Sequence, residues 1–142
     1  EEFLEEFSAS GGTLVGFCVM GGIFSEGIDL MGEKLIGAII IGTGLPQIGT
    51  EREILRQYYD KKGVNGFDYA YRYPGMNKVL QSAGRVIRTQ EDTGIILLLD
   101  ERFAGKDYRN LFPAEWSDRR NCTLNTVEEQ LGSFWNRIRE KN

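Results

Sequence analysis

In the stretch QSAGRVIRTQEDTG, residues 81–94, four residues form the pattern Q-x-x-G-R-x-x-R: Gln81, Gly84, Arg85 and Arg88. At helical spacing, positions 81, 84/85 and 88 share one face. Two planar guanidiniums beside an amide suit bidentate binding of an oxyanion. Gly84, lacking a Cβ, lets another surface come close. The competing accounts are a solvated helix face or an ion pair to Glu91 or Asp92, the latter worth about 0–1 kcal/mol at a surface. Four such residues on one face favour the oxyanion account.

Two other stretches carry chemistry-bearing residues. GGIFSEGIDL holds Ser25, Glu26 and Asp29 among Gly21, Gly22 and Gly27. One reading is a polar turn whose glycines take positive φ. The other is a phosphate-approaching backbone, with carboxylates that hold a ribose, a metal-bound water or an arginine. GTGLPQ, residues 42–47, imitates the start of a dinucleotide-binding G-x-G-x-x-G, but Gln47 replaces the third glycine. Pro46 also suits the tight turn poorly, so a plain strand-to-helix turn is the better reading.

These segments need elements to position them. TLVGFCVM (13–20), LIGAIIIGTG (35–44) and GIILLLD (94–100) read as strands. Each is continuously apolar, the pattern of parallel strands covered on both faces. TEREILRQYYDKKG (50–63) reads as a helix with a Thr50/Glu53 capping box and a glycine stop. PGMNKVLQSAGRVIR (74–88) carries Met76, Val79, Leu80, Ala83 and Ile87 at helical spacing behind Pro74. The C-terminal stretch from Thr126 is amphipathic through Val127, Leu131, Phe134, Trp135 and Ile138. Residues 63–73 read as the most mobile loop. Alternating strands and helices imply an α/β layer fold, here one domain over residues 1–142.

Bulk properties narrow the function. The 142 residues carry a formal charge of −4 at a sequence pI near 5.0, which argues against broad electrostatic attachment to nucleic acid. No apolar run approaches the ~20 residues that cross a bilayer, so no membrane partner is expected. Cys18 and Cys122 lie far apart, and histidine is absent, so no metal site is expected. The setting expected is reduced and cytoplasmic, nucleoid-associated in a bacterium. The acidic opening EEFLEEFSAS lacks an initiator Met and reads as a helix entered part-way. Three strands make a thin sheet for this class, so further strands are expected before residue 1.

The segments GGIFSEGIDLMGEKLIGAIIIGTGLP and QSAGRVIRTQEDTGIILLLDERF together resemble the second motor domain of XPD/DinG-like superfamily-two DNA helicases. The first (21–30) is similar to motif V and the second (81–88) to motif VI, and YRNLFPAEW is similar to the segment that closes the domain. The resemblance runs from about Gly11 to Trp116 and implies a RecA-like three-layer fold with a mostly parallel sheet, N-terminally incomplete. It further implies that Arg85 and Arg88 reach across an interdomain cleft to the γ-phosphate of ATP held by the first motor domain. Gln81 would help sense that phosphate. Glu26, Gly27, Asp29 and Gly84 would line the nucleotide side, and Ser25 and Phe24 would touch single-stranded DNA.

The same resemblance places ATP and Mg2+ in the full-length enzyme, and any iron–sulphur cluster in its N-terminal part. The 142 residues contain no GxxxxGK[ST] loop and no DEAH-like magnesium-binding segment. This chain alone is therefore expected neither to hydrolyse ATP nor to unwind DNA. The alternatives are a catalytically silent nucleic-acid or partner-binding module with the same fold, and an unrelated nucleotide-binding α/β enzyme.

Overall fold

The computed structural model describes residues 12–22, 35–89 and 91–140. They fall into two compact units, within residues 1–109 and 110–142.

The first unit is built on two parallel strands, β1 (Gly37–Ile41) and β2 (Ile95–Leu99), in the register Gly37↔Ile95 through Ile41↔Leu99. The ladder extends at both ends, with Ile95 N–H donating to Ile36 O at 3.0 Å and Gly42 N–H to Leu99 O at 3.2 Å. β1 reads GAIII and β2 IILLL, and their β-branched isoleucines suit a pleated, packed surface. Parallel strands need a long crossover. It is supplied by helices α1 (Thr50–Lys61) and α2 (Tyr73–Ala83), and the α/β class with a parallel sheet is as expected.

Two expectations about strands fail. Thr13–Val19 forms no strand among the described residues, and Phe17 is 93% exposed. An extended segment becomes a strand only where a ladder partner takes its N–H and C=O groups, and none does so among the described residues. β1 also has one covered face rather than two. Ile40 is buried, while Ile39 and Ile41 are 62% and 74% exposed, because only the inward face meets the helices.

Helix α1 starts without the expected capping box. Gly49, in an extended conformation, is the N-cap, and no side chain caps the helix. The Glu53 carboxylate is drawn elsewhere: it accepts from the Tyr71 hydroxyl at 2.6 Å and pairs with Arg56 at 3.4 Å. Its C-terminus does stop at glycine. Gly63 has φ +78°, Gly63 N–H donates to Asp60 O at 3.0 Å, and Val64 N–H to Tyr59 O at 3.3 Å. This is a Schellman closure, in which a left-handed residue turns the chain back over the last carbonyls.

Residues 63–73, expected as a loop, are largely helical. A π-helical turn spans Asp68–Arg72 and runs directly into α2. Its backbone is explained by Pro74, which has no N–H to offer the carbonyl four residues earlier. That carbonyl, Ala70 O, accepts from Arg52 Nη1 at 2.9 Å. Tyr59 and Tyr69 stack at 4.0 Å, and Ala70 and Tyr71 are buried. Arg72 ties the turn to the segment after β2: it pairs with Asp68 at 2.6 Å and Asp107 at 3.2 Å and lies over the Phe67 and Tyr108 rings. Short-range sequence pattern does not show such distant partners.

Helix α2 meets the end of β1 backbone to backbone. A Cβ on Gly75 would stand 2.7 Å from Thr43 O and 3.1 Å from Leu45 N. A Cβ on Gly44, itself at φ +66°, would stand 2.7 Å from Gly75 O. From this contact α2 directs Met76, Val79 and Ala83 into the core. Full burial of a side chain such as Val79 contributes about 1.5–3 kcal/mol.

The second unit holds α4 (Val127–Arg139), after the short α3 (Lys106–Arg109) of the first unit. Its Val127, Leu131, Phe134, Trp135 and Ile138 are half-buried, the expected amphipathic face. Arg119 lies over the Phe112 ring at 5.2 Å and donates to Trp116 O at 3.0 Å. Among the described residues no helix is long and apolar enough to cross a membrane.

Gly75→Ala should therefore destabilise the first unit by about 1–3 kcal/mol, since the added methyl meets fixed backbone; chemical denaturation measures it. Tyr71→Phe removes the hydroxyl that Glu53 accepts and should lower the thermal midpoint near neutral pH. The bond to Glu53 raises the Tyr71 phenol above its ordinary 10.0. Its contribution is then complete below pH 10.0 and lost as pH rises through the higher folded value. Midpoints of wild type and Tyr71→Phe should converge in strong alkali.

Candidate functional site

The arginine pattern does not lie on one helical face. α2 ends at Ala83, and the chain then tightens: Gly84 N–H donates to Leu80 O at 2.8 Å, Arg85 N–H to Ser82 O at 3.2 Å and Val86 N–H to Ala83 O at 3.0 Å. The last two bonds span three residues, the usual tightening at a helix end. Gln81 sits on the last turn of α2, Arg85 in the turn, and Arg88 beyond it. Gln81, Gly84 and Arg88 are exposed, and Arg85 is half-buried. A Cβ on Gly84 would meet only the carbonyls of Leu80 and Gln81, at 3.3 and 3.6 Å, which leaves this position open to an approaching surface.

The tightened turn also changes which apolar residue faces inward. Ile87, expected at helical spacing with Met76, Val79, Leu80 and Ala83, is 43% exposed, whereas Val86 is 4% exposed. Val86 is seated against the start of β2. A Cβ on Gly94 would collide with Val86 Cγ1 and stand 3.0 Å from Ile36 O. Glycine at 94 therefore makes room for the residue that divides the two arginines.

A second anchor lies on the other side of Val86. Asp92 Oδ2 accepts from Arg88 N–H at 2.9 Å, from Thr89 N–H at 2.8 Å and from the Thr89 hydroxyl at 3.2 Å. The Arg88 amide bond, then that of Thr89, holds the Asp92 carboxyl below its ordinary 3.8. Sequence reading weighed Asp92 only as an ion-pair partner. The signal it overlooked is the local one: a short acidic side chain three and four residues on can cap two successive amides.

The other candidates divide as follows. Phe24, Ser25, Glu26, Gly27 and Asp29 lie outside the described residues. The glycines of GTGLP, Gly42 at φ +83° and Gly44, form the turn that packs on Gly75. Backbone of Gly75 stands against Gly44, whereas a Cβ on Gly42 would meet nothing within 4 Å. A concavity of about 370 Å³ is lined among others by Leu45, Phe67, Arg72, Arg102, Lys106 and Tyr108, and shares no residue with the arginine segment. Its arginines are engaged: Arg72 as above, and Arg102 with Asp100 at 2.8 and 2.7 Å. Among the described residues no group of three or more Cys, Asp or Glu could hold a metal ion.

Comparison with known proteins gives one family match: the model of the helicase C-terminal domain matches residues 1–119. A probable ATP-dependent helicase of Methanocaldococcus jannaschii is 32% identical over 113 residues, covering 73% of this chain and 17% of that protein. The ATP-dependent DNA helicase DinG of Photobacterium profundum is 38% identical over 89 residues, 61% of this chain and 13% of the relative. The general transcription and DNA repair factor IIH helicase subunit XPD of Dictyostelium discoideum is 33% identical over 111 residues, 75% and 14% respectively. The chain thus spans between 13% and 17% of these relatives.

Gly94→Ala should displace Val86 and with it the turn between the arginines. The expected cost is about 1–3 kcal/mol of unfolding free energy, measured by denaturant titration, with Gly94→Ala/Val86→Ala recovering part of it.

Proposed function

The chain belongs to the helicase C-terminal domain family, and on that premise we propose that it is the second motor domain of an ATP-dependent DNA helicase. In this reading Arg85 and Arg88 act as arginine fingers on ATP held by the first motor domain. The observation that carries it is the position of both residues in one short connection between α2 and β2, divided by the buried Val86. A buried residue at the centre fixes the backbone, while the guanidiniums on long stems can reach a partner surface. The residues present fit a polyphosphate: the two guanidiniums offer donors only, and the Gln81 amide adds two N–H donors beside its carbonyl acceptor.

The chemistry follows from charge. As the terminal phosphoryl group transfers, negative charge spreads over its oxygens, and guanidinium donors aimed there lower the barrier. An arginine finger contributes a factor of about 10³–10⁵ in rate, or ~4–7 kcal/mol. Because the fingers and the triphosphate-gripping loop sit on different domains, turnover requires the cleft to close, and opening and closing move the strand. Mg2+, bound with ATP, would neutralise phosphate charge. Glu26, Gly27 and Asp29 are assigned to the nucleotide side of the cleft, and Ser25 and Phe24 to single-stranded DNA. Backbone contacts shared between domains suit an acidic protein that grips single strands.

In the full-length protein, Arg85→Ala and Arg88→Ala should each lower ATP turnover about 10³-fold or more, with ATP and single-stranded DNA binding little changed. The 142-residue chain alone should show no turnover above buffer. Near-normal turnover in both variants would return the arginines to surface charge.

A further inference from the structure

We propose that Asp92 is a positioning residue for Arg88, a role that rests on the reading of Arg88 as a finger. The two arginines are held by different means. Arg85 adjoins Val86, whose burial against Gly94 fixes the backbone there. Arg88 is two residues past Val86, exposed, and beyond the last helical bond. The Arg88 backbone N–H donates to the Asp92 carboxylate, one oxygen of which, Oδ2, receives the amides of Arg88 and Thr89 and the Thr89 hydroxyl. The hydroxyl is in turn set by Glu91 N–H, which donates to Thr89 Oγ1 at 3.3 Å. These four contacts link residues 88, 89, 91 and 92, three of them through the one Asp92 oxygen.

The consequence concerns reach. A guanidinium lies at the end of a flexible stem, so its placement against a reacting group begins with its own backbone. Freeing the Arg88 amide leaves the side chain able to bind phosphate but less often in the productive pose, and a 1 Å misplacement can cost on the order of 10²-fold in rate. The oxygen's position is what places the Arg88 amide, and its charge strengthens bonds that a neutral carbonyl oxygen can also accept. An asparagine at 92 places a neutral carbonyl oxygen where Oδ2 lies. A glutamate keeps the charge and moves the oxygen by one methylene.

The test measures single-stranded-DNA-stimulated ATP turnover in the full-length protein for Asp92→Ala, Asp92→Asn, Asp92→Glu and Arg88→Ala, and for Asp92→Ala combined with Arg88→Ala. Asp92→Ala and Asp92→Glu should each lower kcat on the order of 10²-fold with KM for ATP little changed, while Asp92→Asn keeps most of the wild-type kcat. In the Arg88→Ala background, Asp92→Ala should cost nothing further. Turnover near wild type in Asp92→Glu, a loss in Asp92→Asn equal to that in Asp92→Glu, or full additivity with Arg88→Ala would overturn the assignment. Should Asp92→Ala fold poorly, the Asn and Glu pair still decides it. Failure of the underlying reading looks different: Arg88→Ala would itself retain its turnover.

Discussion

The first unit depends on a place where two backbones touch with no side chain between them. Gly44 and Gly75 bring the end of β1 and the start of α2 so close that a Cβ on either would stand 2.7 Å from a carbonyl oxygen of the other segment. A helix held at its first turn has little freedom at its last. Met76, Val79, Ala83 and Val86 then follow one another into the core, and the chain reaches β2 with its direction set. Interiors are close-packed and transmit small shifts, so the position of the arginine turn is decided some ten residues before it.

That turn solves a particular problem. The proposed role asks for long cationic side chains at a surface, where a mobile loop would place them poorly. Here Val86 is buried between Arg85 and Ile87, and its fit against Gly94 requires that residue 94 have no side chain. Downstream, a single carboxylate oxygen gathers the Arg88 and Thr89 amides. A continuous helix through Arg88 would have bonded the Arg88 amide to a carbonyl one turn earlier and left no separate handle on it. Ending α2 at Ala83 trades helical bonds for two local anchors, one apolar and one polar.

How much of this was legible beforehand differs by element. β1, β2 and their parallel pairing follow from the apolar runs and the long crossover, and Gly63 marked the end of α1, because each signal is local. The start of α1 was misread because the Glu53 carboxylate is claimed by Tyr71, eighteen residues away. Residues 63–73 looked like a loop because Pro74 and polar residues hid a π-helical turn whose support comes from Arg52, Asp107 and stacked tyrosines. The helical periodicity through Ile87 misled by one residue, since the bonds from Arg85 and Val86 span three residues rather than four. The segment 13–20 has strand composition without a ladder partner among the described residues. At the site, residue types were readable and backbone geometry was not.

The family relation and the geometry meet in one claim, that this RecA-like α/β domain aims guanidiniums at a triphosphate delivered by another domain. The most direct measurement is a structure of the full-length protein with ADP, aluminium fluoride and single-stranded DNA, the fluoride standing in for the transferring phosphoryl group. The account predicts Arg85 and Arg88 nitrogens at about 2.7–2.9 Å from the fluoride, the range of charge-assisted bonds. Both side chains turned inward onto carboxylates of their own domain, with the fluoride contacted by other residues, would contradict it.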